Sequence, residues 1–520
     1  MRAFGTALVA ALIFFGTPAR AQELVLGLAT DITSADPHFH NTSSNNAASR
    51  HVFDTLIRQD PRQRLIPGLA VAWRTRDSLT WEIELREGVR FHDGSPFGPE
   101  DVVASLRRAG NVANSPSSFG IYTRGIVGVE IAGPRTLLLR TAAPAPLLPN
   151  DLSLVPIIHR RYAEAPTEAF NAGAAAVGTG PFRLARFVPG ERMELVRFEG
   201  HWAGAAPWTG VKLLFLRNGA QRAAALLAGT VQAIEAPPPS AMAELRRSPH
   251  VAISSVASNR IMFLFPDTGR ERTPFATDRR GNVLERNPLR DLRVRQALSA
   301  AIDRKALVER ALEGEAIEAG QLLPDGYFGV SPRLRPDAHD PARARRLLAE
   351  AGWPEGFGLT LHGSNDRFVN DGAVVQAIAA MFAQAGIEAR AETMPWSVFA
   401  TRASRPEFSL ILVGWGAGTG EPSSPMRGLL ATYDPATGLG ASNRGRWSNA
   451  LFDRLLARGL SEFEPERREA TLIDATELAV GDLGLIPLYH ERATWALRRG
   501  LAHDPRADQY TLATDFRPAP

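Results

Sequence analysis

The chain contains no cysteine, which excludes disulfides, thiolate zinc sites, a cysteine nucleophile and lipid anchoring through an N-terminal cysteine. Lysine is almost missing too: Lys212 and Lys305 are the only two, and every other basic side chain is an arginine. The 59 basic and 55 acidic residues leave a net charge of only +4, and the arginines are scattered among acids rather than gathered in a stripe. Nucleic-acid binding needs a concentrated basic face to neutralise phosphates, so that class is set aside. After the first 21 residues no apolar run approaches the roughly 18–20 residues of a membrane span. Catalytic signatures are missing as well, with neither a Gly-x-Ser-x-Gly elbow nor a P-loop. His490-Glu491 opens like a zinc-protease helix, but Thr494 stands where the second histidine must be, and Leu485–Tyr489 reads as a strand. His38 and His40, with His51 and His92-Asp93 further on, form a weak set of loop ligands. No nucleophile with its base, no metal and no other cofactor is expected, so the chain does not read as an enzyme.

What is present is ordinary globular material on a large scale. The 520 residues are 44% hydrophobic, 22% charged and 8% aromatic, enough for two or more domains with a sizeable core. Residues 1–21 carry a positive start at Arg2, an apolar run from Ala3 to Phe15, a break at Pro18 and a small-x-small end at Ala19-Arg20-Ala21. That pattern predicts an export signal cleaved after Ala21, leaving a mature chain of charge +2 in the periplasm. Beyond it, strand-like and helix-like segments alternate. Leu24–Leu28 suits a buried strand and Thr80–Leu85 alternates as a half-buried one. Pro99-Glu100-Asp101 opens a helix with acids at its positive end, and Asp340-Pro341 opens another that Gly352 ends. Val294, Leu298 and Ile302 share one helical face, and 373–385 behaves similarly between strands at 359–361 and 408–413. This βαβ rhythm predicts an α/β fold with a largely parallel sheet in the second half. Pro- and Gly-rich stretches at 142–149, 236–239 and 267–288 mark candidate boundaries.

One segment is far more specific. Leu65-Ile66-Pro67-Gly68-Leu69-Ala70, Trp73, then Trp81 to Pro96 with Phe91-His92-Asp93-Gly94, then Glu100-Asp101-Val102 resembles the signature of the family 5 extracellular solute-binding proteins. Asp36-Pro37-His38, Asp54-Thr55-Leu56, Gly178–Phe182, His201-Trp202, Asp291–Leu298, Ala301-Ile302-Asp303 and Ala344–Leu348 continue the resemblance in order along the chain. The resemblance implies a two-lobed periplasmic binding protein clamshell of type II, with an extra subdomain inserted in the first lobe. The implied segments are 22–60, 61–177 (the insert), 178–258 and 481–520 for the first lobe, and 259–480 for the second. It also implies a monomer that encloses a small-molecule or peptide ligand between the lobes and meets the inner-membrane permease of an ABC importer. Hinge closure supplies the physical logic, because contacts with both lobes exist only in the closed state. A nickel, metal-chelate or opine binder of the same fold is the alternative, with the His38 and His40 pair as its support; an exported hydrolase is the more distant one.

For the ligand site, the resemblance directs attention to the glycine-rich loop Val413–Pro422 after a strand, where backbone can approach a ligand closely. Dipeptide-binding relatives carry an Asp there for the ligand ammonium. Gly418 occupies that place, which argues against a simple dipeptide, and Thr419-Gly420-Glu421 is similar to the glutathione-binding branch. Glu421 either takes over the ammonium contact or caps the following loop. Trp415 either stacks on the ligand or fills a lobe core, with Gly416 beside it and Trp396 in a similar position. Asn259 and Arg260 precede a strand near the expected crossing between lobes; Arg260 pairs either with a ligand carboxylate or with a protein acid. Arg444 supplies a second basic cluster, and Phe39, His40 and Asn41 are candidates from the opposite lobe.

Overall fold

A computed structural model describes residues 23–519. The expected export signal lies outside those residues. The expected strands and helices form with small changes of boundary. Asp340 accepts from the Arg343 N–H at 2.8 Å to cap the helix Pro341–Glu350, and Gly352 ends that element at φ +87°. Gly94 takes φ +86° in the turn before the helix Pro99–Ala109.

A mixed twelve-stranded sheet runs through the molecule. At one end the strand Glu23–Leu28 lies parallel to both Gly210–Phe215 and Ala233–Glu235. At the other, Gly358–Ser364 lies parallel to Glu388–Met394 and to Leu410–Gly416, with the helix Asp371–Gln384 crossing between the first two. Two long antiparallel strands, Val251–Pro266 and Ile486–Arg498, join the ends. The second half is therefore not the largely parallel sheet expected, because the chain crosses between lobes on two strands running opposite ways.

Those two strands belong to different cores along their length. Ala493, Trp495 and Leu497 pack in a first core with Leu24, Leu26, Val211, Leu213 and Phe516, so both chain ends meet there. Met262, Leu264, Ile486 and Leu488 pack in a second with Val294, Leu298, Leu361 and Ile378. The register breaks between the pairs Ala257–Arg492 and Ile261–His490, where Ser258, Asn259 and Arg260 stand against the single residue Glu491. A separate four-stranded antiparallel sheet, Ala70–Asp77, Thr80–Leu85, Thr136–Thr141 and Ile126–Ile131, buries Trp81, Ile83, Leu85, Leu137 and Leu139 in its own core. His92 ties this region to the first lobe: its Nε2 donates to the Gly180 carbonyl at 3.0 Å, and its Nδ1 accepts from the Gly178 N–H at 3.3 Å. A Cβ at Gly178 would lie 1.9 Å from the Val52 carbonyl oxygen, so only glycine permits that crossing.

Six histidines are held neutral by burial. His38, His51, His92, His362 and His503 are pulled down to about 4, and His490 to about 3. Unfolding returns each to an ordinary value near 6.5, so below that pH the unfolded chain binds more protons than the native one. Stability therefore falls as pH drops from about 6.5 towards about 4, with a slope steeper than one histidine's ~1.4 kcal/mol per pH unit. Urea midpoints across that range measure it; a flat profile would mean the buried imidazoles are not what limits acid stability.

Candidate functional site

A cavity of about 420 Å³ opens where the two ends of the large sheet meet. The first lobe contributes the segment after its first parallel strand, Leu28 to Asp31 with Thr33, followed by His40, Thr42 to Ser44, Glu235 and Trp495. The second contributes Arg260, Glu315, Arg367, Phe368, Val369 and Trp396, with Glu491 and Arg492 on the shared strand. Strands deliver several of these in the same way. Arg367 and Phe368 follow Gly358–Ser364, and Trp396 follows Glu388–Met394, both at carboxyl ends of parallel strands where α/β sheets leave a crevice.

The lining is electrostatically uneven. Arg260, only 13% exposed, donates from Nε to Gln509 Oε1 at 2.8 Å and lies 3.3 Å from Glu491 Oε2. Glu491 also accepts from Gln509 Nε2 at 3.1 Å. The Arg367 guanidinium sits 5.7 Å from the Phe368 ring centre and 5.6 Å from that of Trp396, a cation–π arrangement with no ion-pair partner among the described residues. Burial, and then the charge of Arg260, lowers its pKa, though an arginine stays protonated. Phe368 and Trp396 meet edge-to-face at 5.9 Å, and the Trp396 backbone N–H donates to Asp366 at 2.7 Å. On the opposite wall, burial pushes the Glu235 carboxyl up, while the Thr511 hydroxyl and the Ala29 N–H hydrogen-bond to it. His40 Nδ1 lies 2.9 Å from the Thr33 hydroxyl, and burial lowers its pKa.

Of the residues singled out in the sequence, Arg260, His40 and Trp396 line this cavity together. The others lie elsewhere. Asn259 is buried and donates to Gln63 Oε1 at 3.0 Å and to the Ala417 carbonyl at 2.9 Å. Trp415 packs in a second-lobe core with Ile261, Phe263 and Met426, and Gly416 faces Asn259 and Arg260. Glu421 is buried in a two-oxygen ion pair with Arg468, at 2.6 and 2.7 Å, and also accepts from Ser423. Thr419 is buried, and its carbonyl accepts from Asn150 Nδ2 at 2.9 Å. Arg444 lines a small hollow with Phe265 and Asp267. The Phe39 carbonyl accepts from Ser115 at 2.6 Å, and Asn41 accepts from Asn46 Nδ2 at 2.9 Å. His38 is wholly buried and donates through Nε2 to the Pro156 carbonyl at 2.8 Å, apart from His40. Among the described residues no three His, Asp or Glu side chains gather as a metal-ligand group.

The glycine-rich loop is engaged by protein side chains. Its Ala417 and Gly418 carbonyls accept from Gln63 Nε2 at 3.2 Å each, and Gly418 also accepts from Gln59 Nε2 at 3.0 Å. With the Asn150 bond to Thr419, these contacts join the second lobe to the chain on either side of the four-stranded sheet. Arg367, Phe368 and Arg492 line the cavity without having been singled out in the sequence. For the first two, the position just past a parallel strand was the available signal.

A family model described as bacterial extracellular solute-binding proteins, family 5 Middle, matches residues 64–436. The glutathione-binding protein of Salmonella typhi is 28% identical over 498 residues, covering 92% of this chain and 91% of that protein. The heme-binding protein A of Haemophilus influenzae is 26% identical over 478 residues, covering 86% and 83%. The fold is shared with a periplasmic binding protein from Helicobacter pylori solved with the peptide STSA, at 21% identity and a TM-score of 0.78, covering 95% of this chain and 98% of that one. Among the described residues no helix is long and apolar enough to cross a membrane.

Replacing Glu421 with Gln leaves the Arg468 guanidinium buried without a carboxylate. The expected loss is about 3 kcal/mol of folding stability, measured by urea unfolding of the unliganded protein. Unchanged stability would mean that the pair does not hold this loop in place.

Proposed function

The chain belongs to the bacterial extracellular solute-binding proteins, family 5, and from that premise we propose that it captures a short peptide or glutathione-like solute in the inter-lobe cavity. It delivers that solute from the periplasm to the membrane permease of an ABC importer and does no chemistry on it. The observation that carries this reading is the Arg367 guanidinium, which borders the cavity beside Phe368 and Trp396 and has no ion-pair partner among the described residues. A half-buried cation without a counter-ion is costly, and a ligand carboxylate removes that cost through charge-assisted hydrogen bonds. The opposite wall offers Ser, Thr and His side chains with the Glu235 carboxyl, suited to the amides and the ammonium of a peptide-like backbone. Residues of both walls reach such a ligand only when the lobes are together, so occupancy shifts the hinge equilibrium towards closure.

A thermal-shift and calorimetry series on the mature chain tests the reading with dipeptides, tripeptides, glutathione, an opine, an oligosaccharide and Ni²⁺. A peptide-like member is expected to stabilise the protein by about 2.7 kcal/mol at a hundred times its Kd and to be recovered intact by mass spectrometry. Arg367→Gln is expected to weaken that solute by about tenfold or more without lowering the unliganded melting temperature. Stabilisation by the oligosaccharide or by Ni²⁺ alone, or a solute recovered cleaved, would overturn the proposal.

A further inference from the structure

The charged groups around the cavity do not balance. Four carboxylates line it, and each is engaged. Glu491 lies 3.3 Å from Arg260, and Glu315 takes Arg246 at 2.5 Å and the Thr494 hydroxyl at 2.8 Å. Asp31 meets the exposed Arg217 at 3.2 Å, and Glu235 is hydrogen-bonded by Ala29 and Thr511. Three guanidinium groups line it, and only Arg260 is paired. Neither Arg367 nor Arg492 has an ion-pair partner among the described residues.

Arg492 sits at the break in the shared strands. It is opposite Ala257, the last regular pair before Ser258, Asn259 and Arg260 bulge out. Glu491 to Trp495 border the cavity in sequence, and Glu491 and Arg492 are the two of them at the irregularity. The Arg492 backbone N–H donates to the Glu315 carbonyl at 3.2 Å, which fixes its strand position, and its side chain has no ion-pair partner among the described residues.

Resting on the cavity being the solute site, we propose that Arg492 is a specificity-determining residue and that the ligand carries two carboxylates. Arg367 takes one and Arg492 takes the other. A neutral dipeptide offers a single carboxylate and leaves one guanidinium without a counter-ion when the lobes close. Glutathione and acidic dipeptides offer two. The unpaired second cation thus selects by charge count rather than by length, since leaving it desolvated and alone weighs against every monocarboxylate.

Matched pairs of solutes test this by isothermal titration of the full mature chain: Ala-Glu against Ala-Gln, and glutathione against its glycine amide. Each diacid is expected to bind about tenfold or more tightly than its partner, the size of one lost charge-assisted contact. Arg492→Gln is expected to bring the two members of each pair to the same affinity, the diacid losing its second contact and the monoacid, relieved of an unpaired cation, binding no more weakly than before, whereas Arg367→Gln weakens both. Equal binding of each pair by the wild-type protein, or equal weakening of both by Arg492→Gln, would overturn the assignment while the cavity reading stands. Should Arg492→Gln fail to fold, the wild-type comparison decides alone. If none of the four solutes binds while a sugar does, the cavity reading falls first and this assignment with it.

Discussion

Everything in this molecule is arranged around two antiparallel strands that cross from one hydrophobic core to another. Val251–Pro266 and Ile486–Arg498 bury their first-lobe ends with Trp495 and Leu497 and their second-lobe ends with Met262 and Ile486. A pair of strands that is rigid at both ends and irregular in the middle bends most easily at the irregularity. The break between Ala257–Arg492 and Ile261–His490 lies there, and it carries Arg260, Glu491 and Arg492 into the cavity. On the proposed reading hinge and recognition surface are one short stretch of backbone, so relative motion of the lobes changes the spacing of the charged groups that a ligand would meet.

The charge arrangement gives closure its direction. With the lobes apart, water solvates every guanidinium and carboxylate on the cavity walls. As they approach, each group exchanges water for whatever faces it, and an unpaired charge in a narrowing, low-dielectric space becomes more expensive. Glu491 and Gln509 hold Arg260 through that change, so its charge is satisfied in advance. Arg367 has no ion-pair partner among the described residues and lies beside Phe368 and Trp396, which recover part of the lost solvation; on the proposed reading the solute's anionic group supplies the rest. An anionic solute therefore does more than fill volume: it removes the term that resists closure. Adding apolar area to the cavity would deepen binding without supplying that coupling, because apolar walls do not distinguish an empty closed cleft from an occupied one by charge.

The fold was largely readable from the sequence, and the recognition chemistry was readable only in part, for a definite reason. Helix starts such as Asp340-Pro341 and turn glycines such as Gly94 act through neighbours a few residues away, so their local meaning survives without coordinates. The mixed character of the sheet was not readable, because Val251–Pro266 and Ile486–Arg498 are more than two hundred residues apart and nothing in either strand specifies its partner. Among candidate residues, Arg260, Trp396 and His40 do meet at the cavity. Arg367 was passed over although its setting, just after a parallel strand, is where α/β sheets place ligands. Glu421 was singled out because Thr419-Gly420-Glu421 resembles the glutathione-binding branch, with a ligand ammonium contact and a loop cap as its two readings, while its partner Arg468 lies 47 residues further along.

The glycine-rich loop illustrates how one sequence feature can support closure without touching the solute cavity. Its glycines were read as permitting backbone to approach a ligand, and the physical premise holds: without side chains, carbonyls are accessible. What approaches them here is protein. Gln59 and Gln63 donate to Ala417 and Gly418, Gln63 also receives Asn259 and Tyr327, and Asn150 donates to Thr419. An aspartate at Gly418 would set a charge beside Leu154 at this contact. Glycine there and the Glu421–Arg468 pair behind it are consistent with a loop shaped as a neutral seam between lobes. Such a seam favours the closed form equally for any solute. On the proposed reading discrimination then falls to the charged groups of the cavity, where Arg260 is already paired and Arg367 and Arg492 have no ion-pair partner among the described residues.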